Sequence, residues 1–170
     1  MEPVYIAITM DSNEPLRVMQ FERGPMRGHR LPLGATWVDS AHWVREATPE
    51  NIANEISRAC PSEGMTDDGR VVQLPKVLSW RVIRKEDVPV DRSYRDAWVD
   101  DGSAVVHDLE KCRHIHRAQM REEVAARIHV LNVTGSKGDV KRQELVDAMD
   151  DPRIDAAQTL DELRLVKAPS

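Results

Sequence analysis

Aromatic side chains are scarce in this chain: four tryptophans, two tyrosines and one phenylalanine make up 4% of its 170 residues. A core must therefore be filled mainly by Val, Leu, Ile, Met and Ala. Thiols are scarcer still. Cys60 and Cys112 are the two cysteines, too few for a disulfide framework, and two free thiols in a reducing compartment is the plain expectation. No apolar run approaches the roughly 18 residues that a membrane span needs, and no basic-then-apolar leader opens the sequence. The expectation is a protein made and working in water, with no membrane partner. An excess of positive charge is missing as well. The net charge is −5, which disfavours a general nucleic-acid binder, because neutralising phosphates takes a basic surface.

What is present fits a folded chain. The apolar share is 41% and the charged share 31%, close to globular averages. The length suits one ordinary domain, or a small domain with an appended helical piece. Charge is unevenly placed: residues 139–162 carry Asp139, Glu144, Asp147, Asp150, Asp151, Asp155, Asp161 and Glu162 against Lys141, Arg142 and Arg153. That segment is expected to be solvated or to face a basic partner.

Hydrophobic pattern and turn chemistry then divide the chain. Residues 4–10 are β-branched and apolar and read as a buried strand. The cluster Asp11-Ser12-Asn13-Glu14-Pro15 is a turn, and Leu16–Phe21 is the return strand of a hairpin. Residues 23–34 read as a loop, with short strands at Thr36–Val38 and His42–Arg45. Thr48-Pro49 opens a helix, with threonine as the cap and proline at the first helical position. Ile52, Ala53, Ile56 and Ala59 form its buried face. Residues 61–70 read as polar loop, and strands at Val71–Leu74 and Val77–Arg84 flank Pro75.

Beyond Pro89 the grammar turns helical. Tyr94 and Trp98, four apart, are expected on one face of a short helical turn. Ala104–Val106 is a short strand. Asp108 caps a long helix reaching about Leu131, with Gly135 and Gly138 in the turn beyond it. A second helix covers roughly 139–150 and stops at Pro152, and a last one begins at Thr159, where Thr159 and Glu162 have capping-box spacing. The expected fold class is α+β: a small N-terminal β-sheet with one helix over residues 1–90, followed by a helical C-terminal part, a helical hairpin, over 91–170.

In the long helix, Cys112, His116, Met120, Val124 and Ile128 are spaced by four. Each such step drifts about 40° around the axis, so the stripe cannot face one flat partner throughout. Either the helix breaks, or its two ends pack against different surfaces; a helix that meets a neighbouring molecule has this pattern, and so, more commonly, does an ordinary helix crossing a sheet.

Catalytic and metal constellations are not evident. His114-Ile115-His116 is an H-x-H pair, but on a helix positions i and i+2 diverge by about 200°, and Cys112 with His116 lacks a second ligand pair. No G-x-S-x-G occurs, nothing marks either cysteine as a thiolate, and Gly24 and Gly28 do not form a phosphate loop. Adjacent acids such as Asp100-Asp101 and Asp150-Asp151 flank turns and read as solvated caps. The reading is therefore no enzyme, with no catalytic, cofactor-binding or metal residues. Arg113, Arg117 and Arg121 form a row beside the stripe, either a patch for an acidic partner or a solvated face. Candidate partner-interface residues are Tyr94, Trp98, Arg113, Arg117, Arg121 and Ile128.

One resemblance adds to this. The strings W-R-V-I-R-K-E-D-V-P-V-D-R-S-Y-R-D-A-W at 80–98, D-G-S-A-V at 101–105, D-L-E-K-C-R-H-I-H-R at 108–117 and D-P-R-I-D-A-A-Q-T-L-D-E-L at 151–163 resemble a family of small tailed-bacteriophage proteins encoded among head and tail genes. The blocks cover about half of the chain. The family has a longer helical hairpin where residues 118–150 stand here, and residues 1–79 carry no resemblance. The resemblance implies a structural protein of a phage head, connector or tail, made in the host cytoplasm and carried in the virion, with other phage structural proteins or further copies of itself as partners. The alternative is an assembly chaperone for the tail or tail fibre. A small metal-dependent hydrolase is the rival from another class.

Overall fold

The computed structural model describes residues 2–11, 14–24, 26–27, 31–39, 42–133 and 139–169. Ser12, Asn13, Gly28, Gly135 and Gly138, to which the sequence assigns turn or loop roles, lie outside the described residues. The fold is α+β, built of small sheets and helices. It forms two compact units, Met1–Val90 with Trp98–Val106, and Asp91–Ala97 with His107–Ser170.

The first unit is organised by β1 (Val4–Met10), which is central in a three-stranded antiparallel sheet between β2 (Arg17–Phe21) and β8 (Val77–Ile83). Alternate residues of a strand point to opposite faces. On one face Ile6, Ile8, Met10 and Phe21 are buried with Ile52, Ile56 and Cys60 of α1 (Pro49–Ala59) and the residue after it. On the other, Ala7, Leu16 and Ile83 are buried with Trp98 of β9 (Trp98–Asp100) and Val105 of β10 (Val105–His107). A strand covered on both sides needs apolar residues at odd and even positions alike, which is why residues 4–10 read as one unbroken apolar run. Each fully buried Ile contributes about 1.5–3 kcal/mol. The cap read at Thr48 forms: its hydroxyl accepts from the Asn51 N–H at 3.2 Å.

A second small sheet orders β3 (Met26–Arg27), β5 (His42–Arg45) and β4 (Ala35–Trp37), with β5 in the middle. Arg45 fastens it. Its guanidinium is 5% exposed, lies 4.0 Å from the centre of the Phe21 ring and pairs with Glu55 of α1 at 2.8 Å. Burial opposes ionisation of Glu55, but hydrogen bonds from Arg45 and Arg58 outweigh it and hold the carboxyl below its ordinary range. A buried arginine persists because cation–π stacking and a paired carboxylate offset its desolvation.

Two stretches whose composition reads as loop contain strands. Met26–Arg27 within 23–34 is β3, and Glu63–Met65 within 61–70 is β6, paired with β7 (Val71–Gln73). The polar turn Thr66–Arg70 masked the second pair by making a short hairpin read as one loop.

In the second unit, Asp108 caps α2 (Leu109–Val133), its carboxylate accepting from the N–H groups of Glu110 and Lys111 at 3.0 and 3.1 Å. The helix α3 (Asp139–Ala148) lies against α2. Pro152 does more than stop a helix. Asp151 caps a new short one, α4 (Pro152–Ala156), accepting from the Arg153 N–H at 2.9 Å, with proline at its first turn. Thr159 caps α5 (Leu160–Leu165) as its spacing implied, and Glu162 reaches back to the Gln158 N–H at 2.7 Å. The core of this unit gathers Tyr94, Ala97, Cys112, Met120, Ile154, Ala157, Leu163 and Val166.

The drifting stripe of α2 is accommodated as its geometry requires. Cys112 and Met120 join the cluster of α4 and α5. Further along, Val124 is fully buried outside that cluster, where α3 lies beside α2, and Leu145 of α3 is buried too. His116 and Ile128 are half-buried. The two ends of the helix do face different surfaces, and this chain supplies both.

Candidate functional site

Polar side chains converge in the second unit where α2 meets the segment after α5. The Tyr94 hydroxyl lies 2.9 Å from Nδ1 of His116, and Nε2 of the same ring lies 3.0 Å from the Val166 carbonyl oxygen. A carbonyl only accepts, so Nε2 carries the hydrogen. In the neutral ring Nδ1 is then the acceptor, and Tyr94 donates. Tyr94 precedes a 3-10 turn at Arg95–Ala97, and His116 sits one helical turn after Cys112, which is how the two rings come together.

A shallow recess of about 260 Å³ opens beside this pair, with Gln119, Glu123, Arg164 and Lys167 at its edge. Its chemistry is muted. Burial, with the nearby Asp108 charge, pushes the Cys112 thiol up to about 11, so it is not a thiolate at neutral pH. Burial also raises the Tyr94 phenol, with Cys112 adding to it. Arg164 is spent on Asp91 and on Asp161.

Metal ligation fares similarly. His114 is exposed and His116 is half-buried on the same helix. Among the described residues, no group of three or more His, Cys, Asp and Glu side chains is placed to hold a metal ion. Asp100 and Asp101, read as caps, accept from the Gly102 and Ser103 N–H groups at 2.9 and 2.7 Å.

The candidate interface residues have the following places. The Arg113 guanidinium donates to the Ala157 carbonyl at 2.7 Å. Arg117 pairs with Asp155 at 2.6 Å, and Arg121 with Asp150 at 3.1 Å. Arg117 and Arg121 of the row thus pair with exposed acids of the acidic segment in the same chain, which is both solvated and matched by basic side chains. Tyr94 is buried in the same unit, and Ile128 is half-buried on α2.

Trp98 is different. It starts a strand, β9, and its ring belongs to the core of the first unit. The expected single helical face for Tyr94 and Trp98 is therefore overturned. The turn between them is 3-10 and three residues long, and the strand that follows folds back at Gly102 (φ +91°) to pair with β10.

Two surface features escaped the sequence reading. One is the β6–β7 ribbon, whose Met65 and Val71 are exposed. The other is a cleft of about 480 Å³ between α2 and α3, lined by Ala126, Val130, Leu131 and Leu145 with Glu123, Arg127 and Lys141 around it. The available signal was Ala126, Val130 and Leu131, apolar residues that fall off the spacing-of-four stripe.

No protein-family model, curated protein or solved structure matches this chain.

Proposed function

We propose that this protein is a non-enzymatic structural component of a tailed-bacteriophage particle, bound at the head, connector or tail. One observation carries the reading. The phage-like blocks at 80–98, 108–117 and 151–163 are far apart in sequence, yet they supply Tyr94, Ala97, Cys112, Ile154, Ala157 and Leu163 to a single core. The rest of the 80–98 block and the 101–105 block supply Ile83, Trp98 and Val105 to the core of the other unit, so the resemblance falls on packed core positions rather than on scattered surface strings. The high thiol pKa of Cys112 and the engagement of both His116 nitrogens also favour a binding role over a catalytic one.

Mass spectrometry of purified particles tests this. The expected result is a fixed ratio of this protein to the major head or tail protein. Abundance in infected lysate with absence from the particle would overturn the structural reading and favour an assembly chaperone.

A further inference from the structure

The β6–β7 ribbon is anomalous as a piece of folded protein. Met65 sits directly opposite Val71, and the two side chains are 75% and 67% exposed. A two-stranded ribbon that buries so little is marginal in water. This one is nevertheless built for order. The Thr66 N–H donates to the Arg70 carbonyl and the Gly69 N–H to the Thr66 carbonyl, both at 2.9 Å, and Gly69 holds φ +81°, where other residues are strained. At its base the Leu74 N–H donates to the Ser62 carbonyl at 2.9 Å. The ribbon is a preorganised arm that displays an apolar pair.

The α2–α3 cleft offers an apolar surface in return: Ala126, Val130, Leu131 and Leu145 line it, and it is open to solvent. Charges match as well. The tip of the arm carries Asp67 and Asp68, and the cleft carries Arg127 and Lys141. Arg127 is tied to Glu123 and Asp68 to Arg70. Asp67 and Lys141 have no ion-pair partner among the described residues, and their signs are opposite.

We propose that the arm of one copy docks in the α2–α3 cleft of a second copy, with Met65 and Val71 seated over Val130 and Leu131 and Asp67 approaching Lys141. Arm and cleft are different surfaces, so the contact is heterologous. Repeated from copy to copy, it generates a ring if the rotation closes and a filament if it does not. Little ordering is needed on the arm's side, because its turn is already fixed. This inference does not depend on the particle reading, since it concerns the purified chain alone.

The test is sedimentation of the full-length protein across a concentration series. Wild type should self-associate, as a dimer if two copies exchange arms and as a larger ring or filament otherwise. An arm variant, Met65→Thr with Val71→Thr, which keeps strand-forming residues at both positions, and a cleft variant, Val130→Asp, should each be monomeric with unchanged circular dichroism. All three positions are exposed, so folding should survive. Mixed in equal amounts, the two variants leave one intact arm and one intact cleft between them, and should form a one-to-one pair and nothing larger. Asp67→Lys should weaken assembly at least tenfold, and combining it with Lys141→Asp should restore it. A wild-type chain that stays monomeric up to about 0.1 mM overturns the proposal, whatever else its cleft binds. So does a dimer that both variants leave intact, or a mixture that remains monomeric.

Discussion

His116 binds the backbone carbonyl of Val166 through Nε2 at 3.0 Å, so a side chain on the long helix holds the segment that follows the last one. A second tether lies further on, where the Arg127 guanidinium donates to the Pro169 carbonyl. The closing segment is thus fixed through its backbone at two points along α2.

His116→Ala should leave both the Val166 carbonyl and the Tyr94 hydroxyl without their partner. The expected cost is about 2–3 kcal/mol, against about 1 kcal/mol for Tyr94→Phe, which removes one hydrogen bond. Urea unfolding of the two variants measures the difference. Faster removal of the last residues by carboxypeptidase in His116→Ala would confirm that the ring holds the tail. Equal stability in both variants would show that the tether contributes nothing.

Met120 is 3% exposed in the core and Ile128 is half-buried at the other end of the stripe. Met120→Ala should therefore cost about 2–5 kcal/mol, and Ile128→Ala clearly less. Under the proposed particle role, Met120→Ala should reduce incorporation only as far as it reduces folded protein. Equal melting temperatures for the two variants would contradict the burial difference.

These residues also show where sequence reasoning succeeds and where it stops. Caps at Thr48, Asp108 and Thr159 were legible because a cap is local: one oxygen and an N–H two or three residues on. The strand at 4–10 was legible because burial on both faces leaves an unbroken apolar run. The pairing of Arg117 with Asp155 was not, since 38 residues separate them and the sequence showed only two charged segments. Tyr94 and Trp98 misled for the opposite reason. Helical spacing carries meaning only while the chain stays helical, and here a strand begins at the second residue of the pair.

Arg81 and Asp100 form a bidentate pair at 2.8 and 2.6 Å. The Arg81 guanidinium holds the Asp100 carboxyl below its ordinary range, against the opposing effect of burial. A carboxyl whose pKa is lower in the folded state than in the unfolded chain stabilises the fold above the unfolded value. That contribution is lost as pH falls through the folded one. Asp100→Asn should thus cost about 1 kcal/mol at pH 7, and the gap to wild type should close as pH drops below about 4. A gap that stays constant across that range would assign the effect to packing and not to charge.

Gly24 and Gly102 share a φ of +91° but differ in surroundings. A Cβ at Gly24 would fall 2.2 Å from the Trp43 carbonyl oxygen, whereas one at Gly102 meets nothing. Gly102→Ala should cost about 1 kcal/mol for the backbone conformation alone. Gly24→Ala should cost distinctly more, because the Trp43 backbone in β5 must move. Thermal unfolding of the pair separates strain from collision, and equal shifts would show that β5 yields freely.

The chain passes between its two units at 90–91, 97–98 and 106–107, and this bears on how it is synthesised. Trp98 and Val105 cover Ala7, Leu16 and Ile83, so the first unit lacks a buried face until residue 105 has left the ribosome. By then Tyr94 and Ala97 have already emerged, and they must wait for Ile154 and Leu163 to complete the other core. A nascent chain halted at residue 90 should remain open to protease, whereas one halted far enough beyond 106 to clear the exit tunnel should resist it over its first ninety residues. Cutting the gene at the apparent boundary would for the same reason yield an N-terminal fragment with half of its central sheet uncovered.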